Sequence, residues 1–495
     1  MHDTVTPQAE MQSVSKQTSV AEGREVFAVD LDGTLISSDL LHESLWATLG
    51  HSRPQFFRAI FAFLKRGKAG LKAALANVPF DASLLPYKAE ILEEIEKRRA
   101  KGAYIVLATA SDQRLANAVA EHLGVFDEVM ASDGTTNLKG PKKAAALVDK
   151  FGDCGFAYAG DAAADLHVWK VANEAITVDI DPSLRSDISN SQIVEIETSA
   201  APAARLKSVL SASRPHQWLK NLLIFVPMLL AHDLAVTTLF SAFAAFIAFS
   251  LVASSVYVLN DLLDLSADRL HPRKRGRAFA SGSLPLQYGI ALAPGLLLAG
   301  LIVGTLAGPI FLGVLVFYYV CTLAYSLILK RITVIDICML AGLYTLRVIA
   351  GAAATLTQPS VWLLGFSIFF FLAMAAVKRQ AELVDLISDG REKAAGRGYL
   401  PEDLPLITMM ALSAGYVSVL VAGLYLTSDS VTELYSFPPA LWGICAVLIY
   451  WISRTVMLTH RRRMHDDPVV FALTDKVSLI CGLAVGGLGV IAAQL

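Results

Sequence analysis

Beyond Pro215 the chain holds run after run of about 20 residues almost free of Lys, Arg, Asp and Glu, separated by short polar breaks. A helix of that length matches the hydrocarbon thickness of a bilayer, so the simplest fold for these runs is a bundle of membrane-spanning helices. About nine spans can be counted, at roughly 219–237, 239–259, 287–306, 309–328, 333–355, 361–381, 405–427, 436–455 and 474–494. The loops alternate in charge. Those after the second, fourth, sixth and eighth spans hold Arg269 to Arg277, Lys330 and Arg331, Arg391 to Arg397, and Arg461 to Arg463; the others carry no Lys or Arg. The basic loops are expected on the cytoplasmic side of an inner membrane, which puts the C-terminus on the outer side.

Before Pro215 the sequence mixes charged and apolar residues as a soluble protein does, so the mean hydropathy of +0.51 averages two unlike parts. The expected organisation is a polar tail over 1–24, a soluble domain over 25–180, a linker rich in Ser, Ala, Asp and Pro over 181–213, and a membrane domain over 214–495. The first two dozen residues include Glu10, Lys16, Glu22 and Arg24 and no apolar core, unlike a signal peptide, so the soluble domain is expected in the cytosol. A net charge of -2 argues against a nucleic-acid binder. Cys154, Cys321, Cys338, Cys445 and Cys481 have no paired spacing and read as small buried hydrophobes.

Four motifs follow one another in the soluble part. "VFAVDLDGT" is a short strand ending in Asp30, with Asp32 two residues on; "YIVLATAS" is a second strand that delivers Thr109. "LKGPKKAAAL" offers lysines at a helix start, and "FAYAGDAAAD" ends a third strand in Asp161 and Asp165. A carboxylate at a strand end can attack phosphorus while a neighbour protonates the leaving oxygen, and a hydroxyl, a lysine and two more acids can hold the phosphate and a hard cation. The set resembles the haloacid dehalogenase (HAD) superfamily, which implies an α/β Rossmann-like domain with a small helical cap over about 39–100. It also implies Asp30 as nucleophile, Asp32 as acid/base, Thr109 and Lys143 as phosphate ligands, and Asp30, Asp161 and Asp165 around Mg²⁺. Lys142 competes with Lys143 because the spacing does not separate them. The cap segment, with Phe56, Phe57, Ile60, Phe61 and Phe63 beside Arg58, Lys65, Arg66 and Lys68, reads as a packed helix or as a surface for anionic lipid.

In the membrane half, "NDLLDLSADRLHPRKRGR" places Asp261, Asp264 and Asp268 at i, i+3 and i+7, one helical face, with Asn260 beside them and Arg269, Arg273, Lys274, Arg275 and Arg277 after them. Clustered acids at a membrane surface repel one another unless a cation joins them, and Mg²⁺ takes a few carboxylates together with diphosphate oxygens. The motif and the span count resemble the UbiA superfamily of intramembrane prenyltransferases. The second acidic motif departs from that pattern: "AAVKRQAELVD" has Lys378 and Arg379 beside Glu382. Together with "RPHQWLKN" and "YSLILKR", this resembles the decaprenyl-phosphate phosphoribosyltransferases. That branch implies transfer of 5-phosphoribose from phosphoribosyl diphosphate to a polyprenyl phosphate. It implies Asp261, Asp264 and Asp268 around Mg²⁺, with Arg214, Lys220, Asn260, Arg273, Lys274, Arg277, Tyr325, Lys330, Arg347, Lys378, Arg379 and Glu382 as substrate contacts. Asp466, Asp467, Asp475 and Lys476 read as loop contacts, and Arg347 as either a phosphate ligand or the partner of an acid such as Asp336. A product that keeps a 5-phosphate suits a fused phosphatase. The rival readings are an aromatic prenyltransferase with a regulatory domain, and a transporter with a cytosolic sensor. Assembly into a homo-oligomer is left open.

Overall fold

The computed structural model describes residues 23–51, 53–75, 81–133, 137–188, 192–198, 205–272, 274–390, 397–428, 431, 435–464 and 468–494. Two compact units emerge, one of residues 1–213 with 258–292 and the other of 214–257 with 293–495.

The first unit is built on a six-stranded sheet. Its strands are β1 (Val26–Val29), β2 (Tyr104–Asp112), β3 (Glu128–Ser132), β4 (Ala157–Gly160), β5 (Glu174–Val178) and β6 (Ile193–Ile196), in the order β3-β2-β1-β4-β5-β6, all pairs parallel. β1, β4 and β5 are buried almost throughout, as a sheet covered by helices on both faces requires. Phe27, Val29, Ile105 and Leu107 pack on one face, and Val26, Ala28, Val106, Tyr158 and Trp169 on the other. Chain order reverses at β1, whose neighbours are β2 and β4. In open parallel sheets such a switch point leaves a crevice at the carboxyl ends of the strands.

Residues 181–213 do more than link. They contain helix Pro182–Arg185, the edge strand β6 and helix Arg205–Ser213. The alternation in "QIVEIE" is too short to stand out from loop sequence, and its pairing with β5 fixes it as a strand. The segment expected as a cap forms α1 (Leu40–His51), α2 (Arg53–Leu75, broken at Gly67) and α3 (Ala89–Ala100). On α2 Ala59, Leu71 and Leu75 are buried, whereas Phe57, Phe61 and Leu64 face outward with Arg58 and Lys65. One face packs, as the packed-helix reading expects, and the other exposes basic and aromatic side chains.

From Val236 onward, eight helices among the described residues are long and apolar enough to cross a membrane, where about nine were expected. The difference lies in the first expected span. Residues Pro215–Phe225 form a 3-10 helix of 11 residues and Val226–Leu230 a short α-helix, Pro227 lying at their junction. Neither piece has the length of about 20 residues that one α-helix needs to cross the hydrocarbon core. Cores form around Phe249, Phe311 and Tyr318, and around Met374, Trp451 and Ile452. The cysteines are not uniformly buried: all are free thiols, Cys445 is buried, and Cys154 and Cys338 are exposed. Lack of charge around a cysteine marks lipid contact as readily as a protein core.

Candidate active sites

Asp30 follows β1, and its backbone amide donates to the Ala159 carbonyl of β4 at 3.0 Å, which sets it beside Asp161 at the end of that strand. Ligand atoms of Asp30, Asp161 and Asp165 all lie within 4.8 Å of one another. Burial raises the Asp30 carboxyl to about 6 against the lowering effect of Lys143, and burial, then repulsion by Asp30 and Asp165, raises Asp161 to about 7. Three acids held this close are the donor set of a hard cation. The approach is tight at Gly33, where φ is +79° and an added Cβ would stand 2.1 Å from Asp161 Oδ2.

Helical period separates Lys142 from Lys143. On the helix Pro141–Phe151, Lys143, Ala144 and Leu147 form the buried stripe, while Lys142 is exposed. Lys143 Nζ lies 2.9 Å from Asp30 Oδ1 and 3.6 Å from Asp165 Oδ1, and donates to the Tyr158 hydroxyl, which donates to Asp165. Burial alone would lower this lysine, yet Asp30 and Asp165 hold it above its usual value, as a charged phosphate ligand requires.

Thr109 needs correction. Its hydroxyl is fully buried and accepts from the Ser111 amide at 3.1 Å; of these two hydroxyl residues, Ser111 lines the cavity. Positions 109 and 111 share a face of β2, and only the outer one reaches the open end. Ser111 Oγ donates to Asp32 Oδ2 at 2.5 Å, and the Leu40 amide donates to Asp32 Oδ1 at 2.8 Å. Lys88 was also invisible in the sequence. It is buried, donates to the Gly33 carbonyl at 2.6 Å and pairs with Asp179 at 2.9 Å. It precedes α3 with no motif around it, and only the tertiary fold brings it to Asp161. The cavity that holds these groups measures about 1150 Å³.

Burial, followed by repulsion from Asp39, raises Asp32 to about 7. A group in the acid role must carry its proton, so formation of the phospho-aspartate from an alkyl phosphate is expected to slow as pH rises through about 7. Rapid-quench measurement across pH checks this. With Asp32→Asn, or with a nitrophenolate leaving group that needs no proton, the alkaline limb should flatten.

The aspartate-rich group belongs to the first unit. The Asp264 amide bonds the Asn260 carbonyl at 2.9 Å and the Asp268 amide bonds the Asp264 carbonyl at 2.8 Å, so the helical ladder continues from the long helix Val236–Leu263 into Leu265–Leu270. Asp261 and Asp268 are buried, and both receive Arg277 Nη1, at 3.1 and 2.6 Å. Burial pushes the Asp268 carboxyl up against the pull of Arg277. A guanidinium thus occupies a cation position between two of the three acids. Asp264 is half-buried, and Asn260 Oδ1 is buried with no hydrogen-bond partner among the described residues. Lys274 is exposed and Arg273 lies outside the described residues. Arg269, read from sequence as part of the phosphate-holding run, is instead spent on Glu43 of α1.

The remaining predicted contacts belong to the second unit. Arg347 is buried, donates to Asn221 Oδ1 at 2.9 Å, to the Leu343 carbonyl at 2.6 Å and to the Tyr318 hydroxyl at 3.2 Å, and its guanidinium lies 5.2–5.3 Å from the rings of Phe249, Tyr318 and Tyr344. It does not pair with Asp336. A ring cage and neutral acceptors stabilise this cation without a carboxylate. Lys220 is buried, its Nζ 6.0 Å from the Tyr344 ring centre, and Arg214, at φ +50°, lies over Tyr257.

Asp336, fully buried, holds Arg379 at 2.7 Å, Arg397 at 3.3 Å and the Tyr399 hydroxyl at 2.5 Å. Arg379 also pairs with Glu382 and donates to the Tyr325 hydroxyl at 3.3 Å, while Arg397 Nε lies 3.1 Å from Glu382. Arg379 is thus committed to an ion-pair network, and Arg397, which sequence did not single out, completes it. Lys378 and Lys330 are half-buried. Among the loop contacts, Asp475 pairs with Arg454 at 2.7 Å, Lys476 is exposed, and Asp466 and Asp467 lie outside the described residues. Asp336→Ala should lower stability by about 3–5 kcal/mol, since two guanidinium groups lose the acid that compensates them in a buried setting. Thermal unfolding in detergent, against Glu382→Ala as the more exposed comparison, measures the loss.

Comparison with known proteins agrees with both halves. Residues 222–480 match the model of the UbiA prenyltransferase family, more than half of the chain, and residues 27–170 match that of the haloacid dehalogenase-like hydrolases. Protein y4nM of Sinorhizobium fredii is 38% identical over 471 residues, 94% of this chain and 90% of that protein. Nodulation protein NoeC of Azorhizobium caulinodans is 38% identical over 283 residues, 56% of this chain and 90% of that protein. A decaprenyl-phosphate phosphoribosyltransferase of Corynebacterium glutamicum is 32% identical over 253 residues, 50% of this chain and 76% of that protein. The chain belongs to the UbiA prenyltransferase family, as an integral membrane transferase fused to an N-terminal haloacid dehalogenase-like hydrolase domain.

Proposed function

We propose that the membrane domain transfers 5-phosphoribose from phosphoribosyl diphosphate to a polyprenyl phosphate, and that the N-terminal domain then removes the 5-phosphate. In the first reaction the bond from C1 of ribose to diphosphate breaks, a polyprenyl phosphate oxygen takes C1, and diphosphate leaves. In the second, Asp30 attacks phosphorus, O5 of ribose departs with the proton from Asp32, and water releases inorganic phosphate from the aspartyl ester. Mg²⁺ would be held by Asp30, Asp161 and Asp165 in one domain and by the group of Asp261, Asp264 and Asp268 in the other, where it would neutralise phosphate charge. Arg277 would exchange its two carboxylates for diphosphate oxygens, a charge-assisted pairing that its guanidinium suits.

The observation that carries the reading is the Asp30–Lys143–Asp165 constellation in the same chain as a transferase of this family. A transfer product that keeps a phosphomonoester gives that constellation something to cleave. The likeness to decaprenyl-phosphate phosphoribosyltransferases and the neighbouring cations Lys378 and Arg379 on the helix Val361–Ser388 support the donor. The same fusion suits a cytosolic face of the inner membrane, where the basic loops are expected.

The test is incubation of the full-length protein with Mg²⁺, phosphoribosyl diphosphate and polyprenyl phosphate, followed by mass spectrometry of the lipid. Polyprenyl-phosphoribose with release of diphosphate and phosphate is the expected result. Consumption of a prenyl diphosphate and an aromatic acid, with phosphoribosyl diphosphate untouched, would overturn it in favour of the aromatic prenyltransferase reading.

A further inference from the structure

The cavity around Asp30 is not walled by the sheet and its helices alone. Gly282, Pro285, Leu286 and Gln287, from the segment that follows the aspartate-rich helix, line it as well. Their packing is close. Gly282 has φ +75°, and a Cβ there would stand 2.7 Å from Ser37 Cβ and 3.0 Å from Pro86 Cβ, so this contact admits only glycine without rearrangement.

The segment is also pinned by charge. Arg269 Nη1 and Nη2 donate to the two oxygens of Glu43 at 3.0 and 2.7 Å, and Arg269 Nε donates to the Ala280 carbonyl at 3.1 Å. Both side chains of the pair are less than 10% exposed (8% and 6%). A bidentate pair in this setting fixes orientation as well as distance. Glu43 lies on α1, the helix whose Leu40 amide donates to Asp32. One loop is therefore tied at Arg277 to Asp261 and Asp268, and at Arg269 to the helix that orients the candidate acid/base.

We propose that residues 282–287 form the substrate-recognition wall of the phosphatase cavity, held by the Glu43–Arg269 pair, and that this wall selects phosphomonoesters whose alcohol is a sugar. The inference rests on the phosphatase reading above and adds its specificity determinant. Two observations point to a hydroxylated ligand. Gln287, an exposed residue, lines the cavity together with Gln113 and Asn137, three amide side chains that can each donate to and accept from a sugar hydroxyl. Ser38, which also lines the cavity, is 6% exposed, and its Oγ has no hydrogen-bond partner among the described residues. The cavity volume of about 1150 Å³ leaves room beyond a phosphate for a ring and its substituent. Glu43 and Arg269 act as positioning residues, since neither touches the phosphate-binding groups.

The test compares kcat/KM for ribose 5-phosphate with that for p-nitrophenyl phosphate in the full-length protein. In Gln287→Ala the ratio is expected to fall about fivefold or more, through KM for the sugar phosphate, as for a lost hydroxyl contact. Glu43→Arg should lower the same ratio, and the double variant Glu43→Arg/Arg269→Glu should restore it at least in part, which a general loss of folding would not do. An unchanged ratio in both Gln287→Ala and Glu43→Arg, with Asp30-dependent phosphatase activity present, overturns the wall. Absence of any phosphate release that Asp30→Asn abolishes overturns the phosphatase reading instead.

Discussion

Asp30→Asn should abolish phosphate release, by a factor on the order of 10⁴, while diphosphate release by the membrane domain continues. An amide of the same size keeps the contact with the Leu31 amide but cannot attack phosphorus, and it removes the charge that faces Lys143 at 2.9 Å. The lipid product then gains mass by one phosphoryl unit relative to wild type, which mass spectrometry reads directly. A product of identical mass in wild type and variant, with or without the phosphate, would remove the second step from the sequence of reactions.

The second large effect is expected at the aspartate-rich helix. Asp261→Ala should reduce transfer by about 10²–10³-fold, the cost of loosening a cation that would neutralise the departing diphosphate. Arg277 retains Asp268 at 2.6 Å, so the loop keeps one anchor and the loss is read as chemistry rather than collapse. Phosphate release from ribose 5-phosphate added to the same preparation serves as the internal control for folding of the first unit. Transfer at the wild-type rate in Asp261→Ala and Asp264→Ala alike would place the diphosphate elsewhere. The proposed exchange of Arg277 between carboxylates and diphosphate adds a signature: Arg277→Lys should bind diphosphate more weakly, because an ammonium lacks the planar fork that grips two oxygens at once.

These two results bear on one economy in the fold. Asp261, Asp268 and Arg277 belong to the same stretch of chain as Gly282 and Gln287 at the mouth of the phosphatase cavity. A loop of fewer than thirty residues, about one supersecondary element in length, thus serves two sets of acids. It is held by two guanidinium contacts: the buried pair of Arg269 with Glu43, which loses more by separation than an exposed pair would, and half-buried Arg277 with the aspartates.

Much of this was legible in the residues alone, and for a physical reason. Long apolar runs have one stable solution in a bilayer, so helices, their order and their near count follow from composition along the chain. Asp30, Asp32, Asp161 and Asp165 sit at strand ends in motifs whose spacing is local, and local spacing survives into the fold. Where a choice depended on which face a side chain takes, sequence stalled. Lys142 and Lys143 differ only by 100° around a helix, yet one is exposed and the other buried; Thr109 and Ser111 are both buried, and only Ser111 lines the cavity.

Tertiary structure alone decided the partners. Lys88 reaches Gly33 and Asp179, Arg397 reaches Asp336 and Glu382, and Arg269 reaches Glu43 across sequence separations that no local pattern encodes. Arg347 took a ring cage and Asn221 in place of the acid expected of a buried cation. A sequence specifies which residues must leave water and which can carry charge. Which charge meets which is settled only when packing of the whole unit fixes the distances, because electrostatic pairing in a low-dielectric interior rewards a few tenths of an ångström that chain order does not record.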